Sequence, residues 1–376
     1  MTPGLHVNSL IPFYLSLAFI IKEPSLLITL IVANAITHTY IDFIPSTFFG
    51  IPDDTTAMGV LPSHRMVVDG KGYEIIKLTA FGSLFGMIFA IIALFPVMKV
   101  IKQFYHNIVE AIPYILIVIS AYMLISERDV KKIAVSAFIF LLSGMLGIAV
   151  IKYGFVREPF LPVLSGLFGV STLLLSLAYE PDIKEQVIDD KIKLKTRDFF
   201  RASLSGTMAG VFVGVLPGIG NAQATYITKP LSGEKEESYL VAISSVNTAN
   251  AIFSILSLYM IGKGRSGAAI AISKLLSYVN LSYCYLILSV ILLSGSTAVF
   301  VHLYLGKRIA KRITKLNYRK LSIFIILLIS LIVFFFTSFR GILVLTISTL
   351  LGVTAPMWKV KRSHLMGAVI IPILLS

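Results

Sequence analysis

Charged residues are scarce in this chain of 376 residues. They make up 14% of the sequence, whereas 56% of residues are hydrophobic and the mean hydropathy is +0.88. A soluble domain carries about a quarter charged residues. Several uncharged apolar runs reach the roughly 20 residues that a helix needs to cross a bilayer. The composition excludes an ordinary soluble protein and predicts a multi-pass protein of the cell membrane.

Cysteine is almost absent, since Cys284 is the one cysteine in the sequence. It cannot form an intrachain disulfide and has no partner ligands at metal spacing, so a packing role is expected. The sequence also lacks a Walker loop, a nucleophile elbow, a His-x-x-x-His zinc pattern and a recognisable catalytic carboxylate pair. We therefore expect no enzyme activity and no metal or other cofactor, apart from Na⁺ or H⁺ as a coupling ion.

Acidic residues are fewer than basic ones, and the net charge is +14. The basic excess stands in short loops, above all between Gly306 and Lys320, where seven Lys or Arg residues occur with no acid. Such a loop is typical of the cytoplasmic side of a membrane protein and of contact with anionic lipid headgroups. The charge therefore indicates a lipid bilayer as partner and no nucleic acid.

Apolar segments separated by polar connections predict an all-α polytopic membrane protein with about 10–12 transmembrane helices. Glycines at four-residue spacing, such as Gly82 and Gly86, favour close helix contacts, as does Gly166 beside Gly169. The expected spans are 10–21, 24–42, 76–98, 107–125, 131–151, 159–179, 199–216, 239–261, 281–305, 321–337, 341–357 and 364–376.

A mixed-charge segment near the middle of the chain, residues 181–198, is interpreted as a solvated cytoplasmic linker. The first membrane repeat would then cover residues 1–180 and the second residues 199–376. No cleavable signal peptide is indicated, because Pro3, His6 and Asn8 stand where a basic region would be. The second repeat opens with an apolar span before its Pro-Gly motif, whereas the first motif begins at Pro3. From this asymmetry we expect either that the first repeat has lost its opening helix or that its start lies upstream.

Polar stretches rich in Gly and Pro interrupt the apolar sequence at matching places in the two halves. Residues 3–8 and 49–57 correspond to residues 216–221 and 261–269, at offsets of about 214 and 210 residues. Broken backbone is excluded from lipid unless it lines an enclosed cavity, and paired breaks are typical of a transporter's binding site. The pattern predicts two inverted repeats, each with a broken or re-entrant segment.

The turn at 49–57 is acidic. Asp53 and Asp54 would repel each other near lipid, which raises the pKa of at least one of them and favours a bound proton or sodium ion. Thr55 and Thr56 would add oxygen ligands. These four residues are the predicted ion-coupling site, and simple hydration of the turn is the alternative.

The corresponding turn of the second half is basic. Lys263 and Arg265 are predicted to bind an anionic solute, with an ordinary positive-inside loop as the alternative. The amides of Asn221, Asn247 and Asn250 are predicted to contribute, since amides can donate and accept. Interhelical hydrogen bonding is the other interpretation of these amides.

Backbone at the two Pro-Gly breaks completes the predicted substrate site, through Gly218 and Gly220 in the second half and through His6 and Asn8 in the first. His38 and Asp42 are four residues apart on one helical face, a spacing that suits a proton relay. A structural pair at the membrane edge is the alternative for them.

The motifs in their order resemble the large membrane subunit of the tripartite tricarboxylate transporter family (TctA-like), as a shorter, divergent branch. The resemblance covers most of the chain and rests on Pro3-Gly4-Leu5, Gly50 to Ala57, Asp69 to Gly72, Gly166 to Ser171, Gly214 to Gly220 and Asn247 to Ala251. It implies a secondary transporter of carboxylate anions, often served by an extracytoplasmic solute-binding protein.

The sequence therefore predicts a permease that moves an organic carboxylate-type anion, coupled to H⁺ or Na⁺, by alternating access. One alternative is a flippase for a polyprenyl-phosphate-type lipid carrier, which would also need a basic site. A membrane scaffold or a membrane-embedded enzyme is the alternative from a different class. An enclosed polar site in the membrane favours transport, and its absence would favour a scaffold.

Overall fold

The structure is a computed structural model that describes residues 14, 17, 20–51, 56–127, 129–156, 158–179, 184–189, 191–216, 220–233, 235–276, 278–313 and 318–375. Throughout these residues the regular elements are helices, which confirms the predicted all-α class. Seven helical stretches of the described chain are long and apolar enough to cross a membrane, and the long helix Gly72–Ile125 contains two of them. Phe160–Leu175 and Arg362–Leu374 are shorter apolar helices. The number of full-length spans among the described residues is therefore lower than the predicted 10–12.

The α-helices are numbered in chain order. They are α1 (Pro24–Ile41), α2 (Phe43–Phe49), α3 (Val60–Val68), α4 (Gly72–Ile125), α5 (Val130–Gly147), α6 (Phe160–Leu164), α7 (Ser171–Tyr179), α8 (Thr196–Val215), α9 (Asn221–Ser232), α10 (Glu236–Ile261), α11 (Gly267–Leu275), α12 (Leu281–Ile313), α13 (Tyr318–Met357) and α14 (Gly367–Leu374). Short 3₁₀ segments cover Ala57–Gly59 and Arg362–Met366, and π-helical segments cover Ile148–Lys152 and Ser165–Val170.

The chain forms two compact units. The first contains Met1–Ile44, Tyr73–Val109 and Val187–Lys311, and the second contains Pro45–Gly72, Glu110–Gln186 and Arg312–Ser376. Each unit therefore draws segments from both halves of the sequence. The repeat boundaries and the inverted relation of the two halves stay predictions.

Helix α10 is the most enclosed of the long helices in the first unit, and most of its side chains are buried. Glycines bring α8 against it, since a Cβ atom at Gly214 would lie 2.7 Å from Phe253 Cβ, and Gly206 and Gly210 approach its backbone carbonyls. On α4, a Cβ atom at Gly86 would lie 2.8 Å from Ser245 Cα. These small residues allow the close packing that is typical of membrane helices, and through them both α8 and α4 pack against α10.

The second unit packs around its own apolar cluster, which includes Leu173, Ile329 and Val333. The π-helical segment Ser165–Val170 contacts α13, where a Cβ atom at Gly166 would lie 2.7 Å from the Leu345 carbonyl oxygen. Within α13, Ser338 has φ 57° and ψ −160°, so the helix is kinked there. This kink separates the two apolar runs that the sequence predicts as 321–337 and 341–357.

Candidate functional site

A buried polar cluster lies in the first unit, where α1, α9 and α10 meet. It contains Thr39 and Asp42 from the end of α1, Asn221 from the start of α9, and Asn247 and Thr248 from the middle of α10. Each of these side chains is at most 7% exposed. Polar groups are therefore concentrated inside the apolar helices, where each of them requires a hydrogen-bond partner or an ion.

Asn247 is the centre of this cluster. Its Nδ2 group donates to Asp42 Oδ2 at 3.1 Å and to the Thr39 carbonyl oxygen at 3.3 Å. Its Oδ1 atom accepts a hydrogen bond from Asn221 Nδ2 at 3.4 Å. One amide therefore joins the end of α1 to the helix that follows the second Pro-Gly break.

A pair of hydroxyl groups continues the cluster along α1 and α10. Thr39 Oγ1 lies 3.1 Å from Thr248 Oγ1 and also donates to the Ile36 carbonyl oxygen at 2.8 Å. The Thr39 oxygen can therefore accept from Thr248. Both residues are buried, so the contact also orients α1 against α10.

His38 lies beside the cluster on α1, with its Nδ1 atom 3.8 Å from Asp42 Oδ2. The two residues are four apart, and helical geometry places them on one face. The Asp42 carboxylate thus accepts from an amide and lies near an imidazole. A buried carboxylate in a polar cluster can bind a proton or a small cation.

Oxygen atoms dominate the cluster. Asn221 Oδ1 is buried and has no hydrogen-bond partner among the described residues. The Asp42 carboxylate and the two threonine hydroxyls are further hard oxygen atoms of this cluster. Within the described residues, no group of three or more His, Cys, Asp and Glu side chains could hold a metal ion. A cation here would be bound by one carboxylate and neutral oxygens.

The sequence comparisons place these features in a family. The profile of the tripartite tricarboxylate transporter TctA family matches residues 1–367. The chain belongs to this family. An uncharacterized protein of Methanocaldococcus jannaschii is 32% identical over 390 residues, which cover 99% of this chain and 94% of that protein. No solved structure matches the chain. The protein is therefore a multi-pass membrane component of a transporter family, in agreement with the resemblance found in the motifs.

Two of the predicted substrate-binding amides of this TctA-family chain meet in the cluster, namely Asn221 and Asn247. Asn250 instead accepts a hydrogen bond from Ser254 within α10 at 3.0 Å. Gly220 directly precedes α9, so the described part of the second break lies beside Asn221. The other predicted residues of the two breaks, His6, Asn8 and Gly218, lie outside the described residues.

Lys263 and Arg265 follow the C-terminal end of α10. Lys263 is exposed, whereas the Arg265 guanidinium donates to the Tyr105 hydroxyl and lies over the Tyr105 ring. Partial burial lowers the pKa of Arg265. Asn247 lies about 21 Å from Ile261 along the helix axis, at 1.5 Å per residue. The structure therefore separates these basic residues from the amide cluster, and their predicted role in binding stays a prediction.

The predicted ion-coupling turn is described in part. Asp53, Asp54 and Thr55 lie outside the described residues. Thr56 is fully buried in the second unit, immediately before the 3₁₀ segment Ala57–Gly59. The coupling role assigned to this turn stays a prediction.

The sequence analysis did not assign Thr39 to a site, and Thr248, which stands between the predicted amides Asn247 and Asn250, was not among the predicted substrate-binding residues. A threonine in an apolar helix commonly bonds to its own backbone, so their residue type carried little signal. Asp42 was noted only with His38. An acidic residue in an apolar span is itself a signal of function, and this rule would have ranked Asp42 above the loop residues.

Proposed function

We propose that this chain is the membrane permease of a secondary active transport system in the cell membrane, which moves an organic carboxylate-type anion coupled to H⁺ or Na⁺. The observation that carries the proposal is the burial of Asp42 against Asn247 inside apolar helices. Membership of the TctA family supports transport as the class of activity.

Asp42 suits a coupling role because it is a titratable carboxylate buried among apolar helices. Burial disfavours the charged form of a carboxylate, so binding of H⁺ or Na⁺ at Asp42 changes the stability of the surrounding helices. Thr39 and Thr248 pair their hydroxyl groups in the same cluster, and Asn221 is joined to Asp42 through Asn247. A site that is stabilised by an ion can transmit an ion gradient to the conformations of alternating access.

The family name describes a tripartite system, and on this ground we propose an extracytoplasmic solute-binding protein as partner. Such a partner would deliver the solute anion to the permease. The basic residues Lys263 and Arg265 stand at the end of α10, where they would attract an anion before it enters.

The first test concerns the coupling role of Asp42. Asp42→Asn keeps the shape of the side chain but removes the titratable charge. We expect gradient-driven accumulation of labelled carboxylates to fall at least tenfold, while solute exchange without a gradient persists. Uptake is measured in membrane vesicles that contain the permease and its binding protein, with imposed proton or sodium gradients.

Asp129→Asn is the matched control. Asp129 is exposed and caps α5 by accepting from the Lys131 backbone N–H, a role that asparagine also fills. Its uptake should match that of the unaltered protein. Normal gradient-driven accumulation in Asp42→Asn would remove the proposed coupling site.

A further inference from the structure

A second buried charge lies in the second unit, separate from the Asp42 cluster. Arg362 begins the 3₁₀ segment Arg362–Met366 and is only 9% exposed. Its Nη1 group donates to the Thr172 hydroxyl and lies 3.4 Å from the Phe168 carbonyl oxygen. Both acceptors belong to the π-helical segment and the helix that follows it. π-helical turns are frequent at functional sites, so the position of this guanidinium is notable.

Most of the donor capacity of Arg362 is unused. Its Nε and Nη2 atoms are buried without hydrogen-bond partners among the described residues, and the same holds for Ser363 Oγ and His364 Nδ1. Three consecutive residues therefore present unsatisfied polar atoms. A guanidinium has five N–H donors and remains charged, so burying it without an anion is strongly unfavourable.

The neighbouring acidic side chain is bound elsewhere. Glu127 Oε1 lies 2.7 Å from His364 Nε2 and accepts from the Lys361 backbone N–H at 3.0 Å. No carboxylate of the described residues lies within ion-pair distance of Arg362. The described part of the second unit thus places a buried cation here without a counter-ion.

The surroundings add further positive charge. His64 and Arg65 of α3 are close enough to Arg362 for their charges to interact with it. Burial and the charge of Arg362 lower the pKa of His64 to about 4, so His64 is neutral at pH 7. The combination of Arg362 and Arg65 favours an anion, and a neutral histidine can donate a hydrogen bond to it.

We propose that Arg362, together with Ser363, binds a carboxylate group of the transported organic anion in the second unit. The identity of the anion rests on the proposed function, whereas the site rests on the unpaired donors of Arg362. The planar guanidinium can hold a carboxylate with two parallel hydrogen bonds, which a lysine cannot reproduce. Thr172 is a positioning residue, since its hydroxyl holds Nη1 and leaves Nε and Nη2 for the ligand.

The experiment uses the single tryptophan of the chain. Trp358 stands four residues before Arg362, so its fluorescence reports on this segment. The purified protein in lipid nanodiscs is titrated with succinate, citrate, inorganic phosphate and the neutral analogue succinamide. We expect a saturable fluorescence change and a higher thermal midpoint with a carboxylate, and neither change with succinamide.

Substitutions then assign the effect to Arg362. Arg362→Lys keeps the charge but should weaken carboxylate binding at least tenfold. Arg340→Lys is the matched control, because Arg340 is an exposed arginine of the same unit, over the Phe155 ring. It should bind carboxylates with unchanged affinity. Thr172→Val removes only the positioning hydroxyl and should weaken carboxylate binding severalfold. If Arg362→Lys does not fold, this variant tests the site in its place.

Several results would overturn the proposal. One is the absence of any carboxylate effect in the unaltered protein. Another is a carboxylate affinity of the Arg362→Lys and Thr172→Val variants that equals the affinity of the unaltered protein. A third is saturation by inorganic phosphate alone. Carboxylate binding without gradient-driven uptake would remove the proposed function but leave this site. Gradient-driven uptake that is the same in the Arg362→Lys variant as in the unaltered protein would remove this site but leave the proposed function.

Discussion

Asp42 and Asp189 show how position determines what a carboxylate can do. Asp189 is partly exposed, and the backbone N–H of Lys191 lowers its pKa, so it stays charged and hydrated. Asp42 is 7% exposed and is held by the amide of Asn247. The same functional group is thus a surface charge in the linker and an ion-binding candidate in the helices.

His64 allows a test of stability against pH, because it lies in α3, outside the candidate spans. Its pKa is lowered from 6.5 to about 4 by burial and by the charge of Arg362. The folded state therefore favours neutral His64. Its contribution to the free energy of unfolding is complete above pH 6.5 and is lost as the pH falls towards 4. At pH 5 the free energy of unfolding is lower by about 2 kcal/mol.

We expect the thermal midpoint in detergent to fall between pH 7 and pH 5, and His64→Gln to make that fall smaller. His106→Gln changes an exposed histidine of α4 and serves as the control. An identical pH dependence in the His64→Gln variant would contradict the burial of a neutral imidazole.

At the scale of the elements, glycine spacing determines how α8 and α10 can approach each other. Gly206, Gly210 and Gly214 recur every four residues and face the backbone of α10. This spacing lines one face of a helix, and it allows backbone contact that a larger side chain would prevent. The contact packs α8 against the helix that carries Asn247.

Gly210→Leu tests the helix contact. A leucine would collide with the Val246 carbonyl oxygen and the Ala249 side chain, and such overpacking costs about 1–3 kcal/mol or more. We expect much less folded protein in the membrane, measured by size-exclusion chromatography of the solubilised protein. Met208→Phe enlarges a side chain that is 67% exposed and should fold normally. Equal yields for both variants would mean that α8 and α10 are not in close contact.

At the scale of the whole molecule, charge orients the chain in the bilayer. The basic segment between Gly306 and Lys320 and the linker at 181–198 are both predicted to lie on the cytoplasmic side. Lys193 and Lys311 are exposed representatives of these two segments. The orientation follows from charge in short loops and needs no knowledge of helix packing.

Cysteine labelling tests this orientation, because Cys284→Ser yields a cysteine-free background. Lys193→Cys and Lys311→Cys should react with a membrane-impermeant maleimide in inside-out vesicles and remain unreacted in right-side-out vesicles. Labelling after solubilisation measures the total amount of reactive cysteine at each position. Reaction of the two positions from opposite sides would overturn the predicted topology.

Much of the fold was predictable because it follows from local properties of the chain. Apolar run length, glycine spacing and the position of basic loops predicted the membrane class, the helices and close contacts at Gly86 and Gly166. The candidate site was predicted only in part. Asn221 and Asn247 were found because amides can both donate and accept. Thr39 and Thr248 carry hydroxyl groups that commonly bond to their own helix, so their residue type gave little signal.

The sequence by itself determined the membrane environment, the helical class and the excess of basic loops, because hydropathy and charge act along the chain. Only the tertiary structure decided which polar residues meet. Asn247 contacts Asp42 across 205 residues of sequence, and Arg362 contacts Thr172 across 190. Such contacts depend on the rotation and register of packed helices. Those are set by the fit of many side chains at once, not by any single segment.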